Sequence, residues 1–457
     1  MRLIRVNYFR NLHQLTQHGN DALRRETLDI LNFALAKADP FVAARNCVVM
    51  EGEELSICGR TMDLSRFDKV YVIGAGKASF GIARALEEVL GPRITKGLVI
   101  CKDGLQERLE HVEIACASHP VPNETSLRKA GEILDLMRQT GPRDLVIACI
   151  TGGSSALMSL PVPEIPFEDK RTLNRILLTS GANILEINAV RKHASLVKGG
   201  RLAQAMHPGT LLINLTVSDV IGDPLDCITD PTVPDSTSFE DARRTLDKYG
   251  LWERVPETVA KYFRDPPPDR ETPKSFDDRV FESFIIVPGE AASEGAAERA
   301  RELGYETMIL STMFEGESRE LGCTFGYIAK EIIRKERPLK RPCAVIGGGE
   351  TVVTFESENE GLGGPNQEFA LGAATEISRI GDVVVAGLDT DGTDGPTNFG
   401  GGIVDNCTVD RAEVLGLDIH TALKRHEVSG LLGELGDLLI TGNTGTNVND
   451  LKVMILR

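Results

Sequence analysis

Aromatic residues are scarce in this sequence, 5% with a single tryptophan, whereas glycine reaches 45 residues. That balance implies many tight turns and close backbone approaches. Basic residues are also in deficit: the formal net charge is -16, which argues against coating a nucleic-acid duplex or an anionic membrane surface. A local basic pocket could still take a small anionic substrate. No apolar run approaches the about 18 residues of a membrane span. The N-terminus "MRLIRVNYFRNLHQ" has neither a long apolar core nor a small-residue cleavage site, so it does not read as a secretory signal, and a cytoplasmic protein is expected. The nine cysteines show no CxxC pair and no zinc-type Cys/His spacing. Several lie in apolar runs, such as Cys149 and Cys343, and read as buried thiols in a reducing compartment. There is no short fixed-period repeat and no low-complexity tract.

What is present is alternation. With 457 residues, a prior of about 150 residues per domain gives roughly two or three domains. Helical spacing covers Asn20 to Lys37. Short apolar runs then alternate with helical segments: "KVYVIGAG", "GLVICK", "VEIACAS", "DLVIACITGG" and "TLLINLTVS" read as strands, with a long helical stretch from Phe167 to Ala203. Strands apolar throughout and separated by helices predict parallel sheets covered on both faces. "FRDPPPDRETPKSFDD", from Phe263, reads as a linker or exposed loop. The alternation then resumes through "FESFIIVPG", "YETMIL", "CAVIGGGE", "VVVAGLDTDGTDG", "DLLITGNTGTN" and "LKVMILR". The predicted organisation is therefore two α/β domains, 1–272 with a Rossmann-like sheet and 273–457.

Five glycine-rich turns follow apolar strands, where open α/β sheets bind ligands and helix N-termini offer N–H groups to anions. The first, Gly74 to Ser79, is not a Walker A loop, because Gly74 and Gly76 are one residue apart and Ala78 follows Lys77. As a dinucleotide turn it has Ser79 in place of the third glycine, and "GLVICK" ends in Cys101–Lys102 with no carboxylate for a ribose hydroxyl, which disfavours NAD. Lys77 is either a solvated lysine on a tight turn or a point charge for a phosphate. "TGGSS", Thr151 to Ser155, has the form of an anion cradle at a helix start, through Gly152, Gly153, Ser154 and Ser155. On "NAVRKHASLVKGG", Asn188, Lys192 and Ser195 share one helix face, close to Arg191 and Lys198. This is either a solvated basic face or an anion site. Asp389, Asp391 and Asp394 in "LDTDGTDG" do not fit an EF-hand but suit Mg²⁺ or a catalytic base. Asp219 and Asp223 in "VSDVIGDP" stand equally open.

Taken in order, the motifs are specific. "VIGAGKAS", "SHPVPNE", "TGGSSALMSLP", "SGANILEINAVRKHASLVKGGRLA", "SDVIGDP", "GGGETVVTF", "GLGGPNQEFALG", "DTDGTDGPT" and "TGNTGTNVNDL" run along nearly the whole chain, which resembles the class II glycerate kinases of the MOFRL type. The resemblance implies ATP-dependent phosphorylation of D-glycerate to 2-phosphoglycerate with Mg²⁺ or another divalent cation, in a cleft between two α/β domains. It implies catalytic roles for Lys77, Asp391, Asp394 and Asp219, with the metal on Asp391 and Asp394. Substrate or nucleotide contacts would come from Gly74, Gly76, Ser79, Gly152, Gly153, Ser154, Ser155, Asn188, Arg191, Lys192, Lys198, Glu350, Asn366 and Gln367. Three positions depart from the family pattern. Pro365 replaces an arginine of the usual active site, Asp389 a glycine, and Asp230 lies where SGPT is common. They question the exact hydroxy acid more than the fold. The rival readings are an NAD(P)H-dependent hydroxypyruvate reductase and a non-catalytic hydroxy-acid binder. A homodimer is an assembly the sequence allows; no nucleic-acid or membrane partner is expected.

Overall fold

The computed structural model describes residues 7–277, 280–355 and 361–457. They form two compact units, Pro40–Val287, and Met1–Asp39 together with Pro288–Arg457. In the first, a meander of β1 (Val48–Glu51), β2 (Glu54–Ile57) and β3 (Arg60–Asp63) precedes a six-stranded sheet. That sheet contains β4 (Lys69–Ala75), β5 (Lys96–Lys102), β6 (Val112–Ala117), β7 (Asp144–Ile150), β8 (Leu211–Val217) and β9 (Val280–Val287). Every pair is parallel and the order is β6-β5-β4-β7-β8-β9. Counted from β4 this is the doubly wound order 3-2-1-4-5-6 of Rossmann-type sheets. The strands are continuous apolar runs because both faces are covered: β7 and β8 are buried at every residue.

The helix Ser79–Leu90 shows how the covering layer is encoded. Ile82, Leu86 and Leu90 recur every fourth residue on its buried face, and the helix stops at Gly91, whose φ of 48° suits glycine. The stretch predicted as one helix from Phe167 to Ala203 is three, Phe167–Leu178, Ile184–His193 and Arg201–Gln204. Gly181, Gly199 and Gly200 break it with positive φ.

The units differ from a division at 272/273 in two places. β9 pairs with β8 and completes the first sheet, and the helix Asp21–Lys37 belongs with the C-terminal residues. The proline-rich connection is not a linker, because buried side chains tie it down. Thr272 Oγ1 donates to Asp235 at 2.9 Å, and Glu271 lies 2.7 Å from the buried His193.

The second unit contains β10 (Glu306–Phe314), β11 (Cys343–Gly349), β12 (Val383–Asp389), β13 (Gly401–Asp405), β14 (Leu438–Leu439) and β15 (Asp450–Leu456), in the order β10-β11-β15-β12-β13-β14. Here the parallel expectation gives way to a mixed sheet. β10 and β11 are parallel, but β15 enters antiparallel between β11 and β12. The helices Ser318–Lys335 and Pro365–Ile377 pack together on it, with Gly322 allowing the approach: a Cβ there would lie 2.1 Å from the Phe369 carbonyl oxygen. Arg24, fully buried, reaches Asp405 at 2.5 Å and Asp437 at 2.7 Å, binding the N-terminal helix to the C-terminal half of the unit.

Candidate functional site

The order of the first sheet reverses between β4 and β7, and ligands of doubly wound sheets bind beyond the carboxyl ends of the strands at such a switch point. Two of the glycine turns meet there. After β4, Gly76 takes a φ of 148° and Lys77 N–H donates to the Gly152 carbonyl at 2.9 Å. After β7, Thr151 Oγ1 accepts from Ala78 N–H at 3.2 Å and lies 3.1 Å from Ser79 Oγ. Ser79 is thus spent on fixing the two turns together, and so is Gly74, where a Cβ would sit 2.4 Å from the Cys149 carbonyl oxygen.

Around these turns the structure gathers Lys77, His119 and Asp219. A Cβ on Gly153 would lie 3.3 Å from both the His119 imidazole and Lys77 Cγ, and one on Gly152 would lie 1.7 Å from an Asp219 carboxylate oxygen. The two glycines therefore let a cation, an imidazole and a carboxylate crowd against one turn. Lys77 and Asp219 are both half-buried. His119, within the quoted "SHPVPNE", was not singled out from the sequence. A histidine beside a proline carries no local signal, and β6 brings it in from the far side of β5.

The basic segment lies behind the second turn and is buried, contrary to a solvated face. Lys198 Nζ donates to Ser155 Oγ at 2.7 Å and pairs with Asp230 at 2.8 Å. Burial lowers its pKa, partly offset by Asp230. Lys192 pairs with Asp235 at 2.9 Å and approaches Asp226 at 3.5 Å. Burial opposes its charge too, but Asp230 and Asp235 outweigh it and raise its pKa. Both lysines thus have carboxylate partners within the unit. Arg191 differs. Its Nε is buried without a hydrogen-bond partner, and burial draws its pKa down to about 10 against the pull of Asp230. One turn earlier on the same helix, Asn188 Oδ1 is also buried and unsatisfied. Lys170, wholly buried, donates to the Ala194 carbonyl at 3.0 Å, and its pKa falls well below that of an exposed lysine through burial and the charges of Lys198, Arg191 and Arg201. Of these buried basic groups, Arg191 is the one with an unpartnered donor to offer an anion.

The aspartate loop occupies the other unit. Asp394 accepts Asn366 N–H at 2.9 Å and Gln367 N–H at 3.0 Å, and both side-chain amides as well, each at 3.0 Å. It thereby caps the helix Pro365–Ile377, a favourable place for a carboxylate. Burial still raises its pKa to about 6, the amides of Asn366 opposing and Asp450 adding to the rise. Asp391 Oδ1 accepts Thr393 N–H at 2.8 Å and Thr393 Oγ1 at 2.5 Å. With both oxygens committed to four N–H donors, Asp394 does not fit the expected place as a direct magnesium ligand. Among the described residues no group of three or more His, Cys, Asp or Glu side chains is placed to hold a metal ion.

Asn366 and Gln367 are likewise engaged within the unit. Asn366 Nδ2 donates to Asp450 at 2.6 Å and its Oδ1 accepts from Lys452 Nζ at 2.5 Å, while Gln367 Nε2 reaches Thr397 at 3.1 Å. Lys452 and Asp450 escaped the sequence reading because "DLKVMIL" scans as an apolar strand. Glu350 is exposed just beyond β11. Pro365 is the first residue of its helix after the N-cap Gly364, a position to which its fixed φ and missing N–H are suited. One exclusion weakens: Asp103 follows β5 directly, accepting from Ser118 Oγ at 3.3 Å, so a carboxylate does stand past the second strand.

Strand order and switch point define an α/β protein of the doubly wound class. Residues 26–264 match the model of a domain of unknown function, DUF4147, and residues 343–450 that of the MOFRL family. The chain is 40% identical to the "Glycerate 2-kinase" of Pyrococcus horikoshii over 95% of its own length and 97% of that protein. A crystal structure of a glycerate kinase from Thermotoga maritima superposes with a TM-score of 0.81 at 37% identity, covering 96% of this chain and 100% of the other. A protein of Agrobacterium vitis with the name "Putative hydroxypyruvate reductase" is 35% identical over 96% of this chain and 95% of its own length. The chain belongs to the glycerate 2-kinase family. Among the described residues no helix is long and apolar enough to cross a membrane.

Proposed function

We propose that the protein transfers the terminal phosphoryl group of ATP to the 2-hydroxyl of D-glycerate or a closely related sugar acid. The observation that carries this reading is the switch point of the first sheet. There Lys77, the Thr151–Ser155 turn and Asp219 converge in a chain 40% identical to a glycerate 2-kinase. Phosphoryl transfer asks for positioning and charge neutralisation more than for covalent chemistry. In this reading Lys77 neutralises charge on the transferring group, and N–H groups opening the helix Ser79–Leu90 face the phosphates. Asp219 accepts the hydroxyl proton of the acceptor. Arg191, rather than Lys192 or Lys198, holds the acceptor carboxylate, because the lysines already have carboxylate partners and its Nε has none. Asp391 and Asp394 act by fixing the loop that follows β12, Asp394 anchoring it to the start of the helix Pro365–Ile377.

The test is a coupled assay of ADP release over D-glycerate, erythronate, threonate and tartronate, with phosphorus NMR locating the phosphate in the product. D-Glycerate or one close relative is expected to give turnover, and Lys77→Ala to lower kcat/KM by about 10²–10³-fold. Oxidation of NADH on adding hydroxypyruvate without ATP would instead establish the reductase activity in the name of the Agrobacterium vitis relative, and Asp103 would suit the ribose 2′-hydroxyl of that cofactor. Tight glycerate binding without any turnover would establish a binding protein.

A further inference from the structure

The proposed reaction does not use the cysteines, and two of them outside the core are placed for chemistry of their own. Cys47 ends the helix Pro40–Cys47 and Cys58 follows β2. The antiparallel register of β1 and β2 pairs Val48 with Ile57, and one step further it sets Cys47 opposite Cys58. Cys58 N–H donates to the Cys47 carbonyl at 2.8 Å. Hydrogen-bonded partners in such a ladder have Cα atoms about 5.5 Å apart, within the about 4.4–6.8 Å that a disulfide spans. Cys47 S–H donates to the Ala44 carbonyl at 3.5 Å, and the two thiols are close enough to perturb each other's ionisation. Both residues are half-buried rather than sealed in the core, so a small reagent can reach them. Cys58 is held at a φ of 49° by the turn it opens with Gly59.

We propose that Cys47 and Cys58 form a reversible disulfide by exchange with a small-molecule disulfide of the glutathione class. Cys47 attacks first. The neighbouring Cys58 lowers the Cys47 pKa, and Cys47 raises that of Cys58. The Cys47 thiolate displaces one small thiolate from the reagent and forms a mixed disulfide. Cys58 then gives its proton to solvent and attacks Cys47 Sγ, expelling the second small thiol. Two protein thiols are oxidised and one reagent disulfide is reduced to two thiols. A second neighbouring pair provides an internal contrast. Cys101 and Cys116 are register partners in β5 and β6, but Cys101 is sealed in the core, where burial pushes its thiol up to about 12. Thiol reactivity follows thiolate character and access, so this pair stays reduced. The new bond would fasten the β1–β2 hairpin to the helix Pro40–Cys47, which packs against the helix Ser79–Leu90 through Pro40 and Gly81.

The experiment incubates the folded, fully reduced protein with oxidised glutathione, then alkylates, digests and maps cysteines by mass spectrometry. The nine alkylatable thiols are expected to fall by two, with a Cys47–Cys58 cross-linked peptide that dithiothreitol removes. Cys58→Ser is expected to accumulate glutathione on Cys47 instead. Absence of the cross-link in the wild type overturns the proposal, whether Cys47 is unmodified or holds a persistent mixed disulfide. Preferential linking of Cys101 to Cys116 overturns it as well. The wild-type measurement decides the matter even if the variant folds poorly.

Discussion

Gly152→Ala tests the site by moving one carboxylate without altering a charge. Gly152 is not among the residues at positive φ, so alanine suits its backbone. The added Cβ would lie 1.7 Å from Asp219 Oδ2 and 2.3 Å from its Cγ, whereas real Cβ atoms essentially never approach within 3.0 Å. The nearer oxygen must therefore retreat by about 1.3 Å, the difference between those two distances. A displacement of about 1 Å at reacting groups can cost about 10²-fold in rate, equivalent to about 2.7 kcal/mol of barrier. The assay is initial-rate ADP release at saturating ATP with varied D-glycerate, for the wild type, Gly152→Ala, Asp219→Asn and the double variant. kcat is expected to fall about 10²-fold in Gly152→Ala, with ATP binding little changed. Because both substitutions act through the same carboxylate, the double variant should be no slower than Asp219→Asn alone. A Gly152→Ala enzyme within about threefold of wild type, or effects that multiply in the double variant, would refute the role given to Asp219.

Two further outcomes concern the second unit. Arg24→Met leaves Asp405 and Asp437 buried without their shared guanidinium, and urea denaturation at neutral pH should show a loss of about 3–5 kcal/mol. Burial opposes the Asp405 charge, but Arg24 holds its pKa below the usual carboxylate value. That stabilisation is present above the unfolded pKa and lost as pH falls, so the gap between wild type and Arg24→Met should narrow in acid. Asp394 has the opposite sign. Its folded pKa is raised from 3.8 to about 6, so the folded state binds the proton more tightly and this group's contribution declines as pH rises through that window. The stability of wild type relative to Asp394→Asn should fall by about 3 kcal/mol between acid and neutral pH. A flat difference would show that Asp394 is not desolvated as described.

Much of the first sheet was legible because its strands are built round short apolar runs. β4, β6, β7 and β8 each fall within a predicted run, and β5 starts one residue before its own. The meander β1–β3 was not legible: its strands are four residues long and several of their side chains face solvent. Nor could local pattern assign β9 to the first sheet, since a strand's partner is settled by long-range pairing. The lysine turn and the glycine turn after β7 were visible as glycine spacing, but their junction through Thr151 and Lys77 N–H was not, because a hydrogen bond between residues 73 apart leaves no local pattern. The basic segment shows the limit most sharply. Sequence offered Asn188, Arg191, Lys192 and Lys198 as equals; only the positions of Asp230 and Asp235 separate the lysines, already neutralised, from Arg191.

The placement of β15 bears on how the chain is made. The unit Pro40–Val287 is contiguous and can close its sheet while later residues are still on the ribosome. The other unit cannot. Its sheet stays split until β15 is synthesised and slots between β11 and β12, and its early helix must wait for partners such as Asp405, 381 residues away. Until then the flanks of β11 and β12 are open strand edges, the features that template unwanted pairing. A stall or premature stop before Asp450 would release one finished unit joined to one with an unfilled slot in its sheet, a ready substrate for chaperones and proteases.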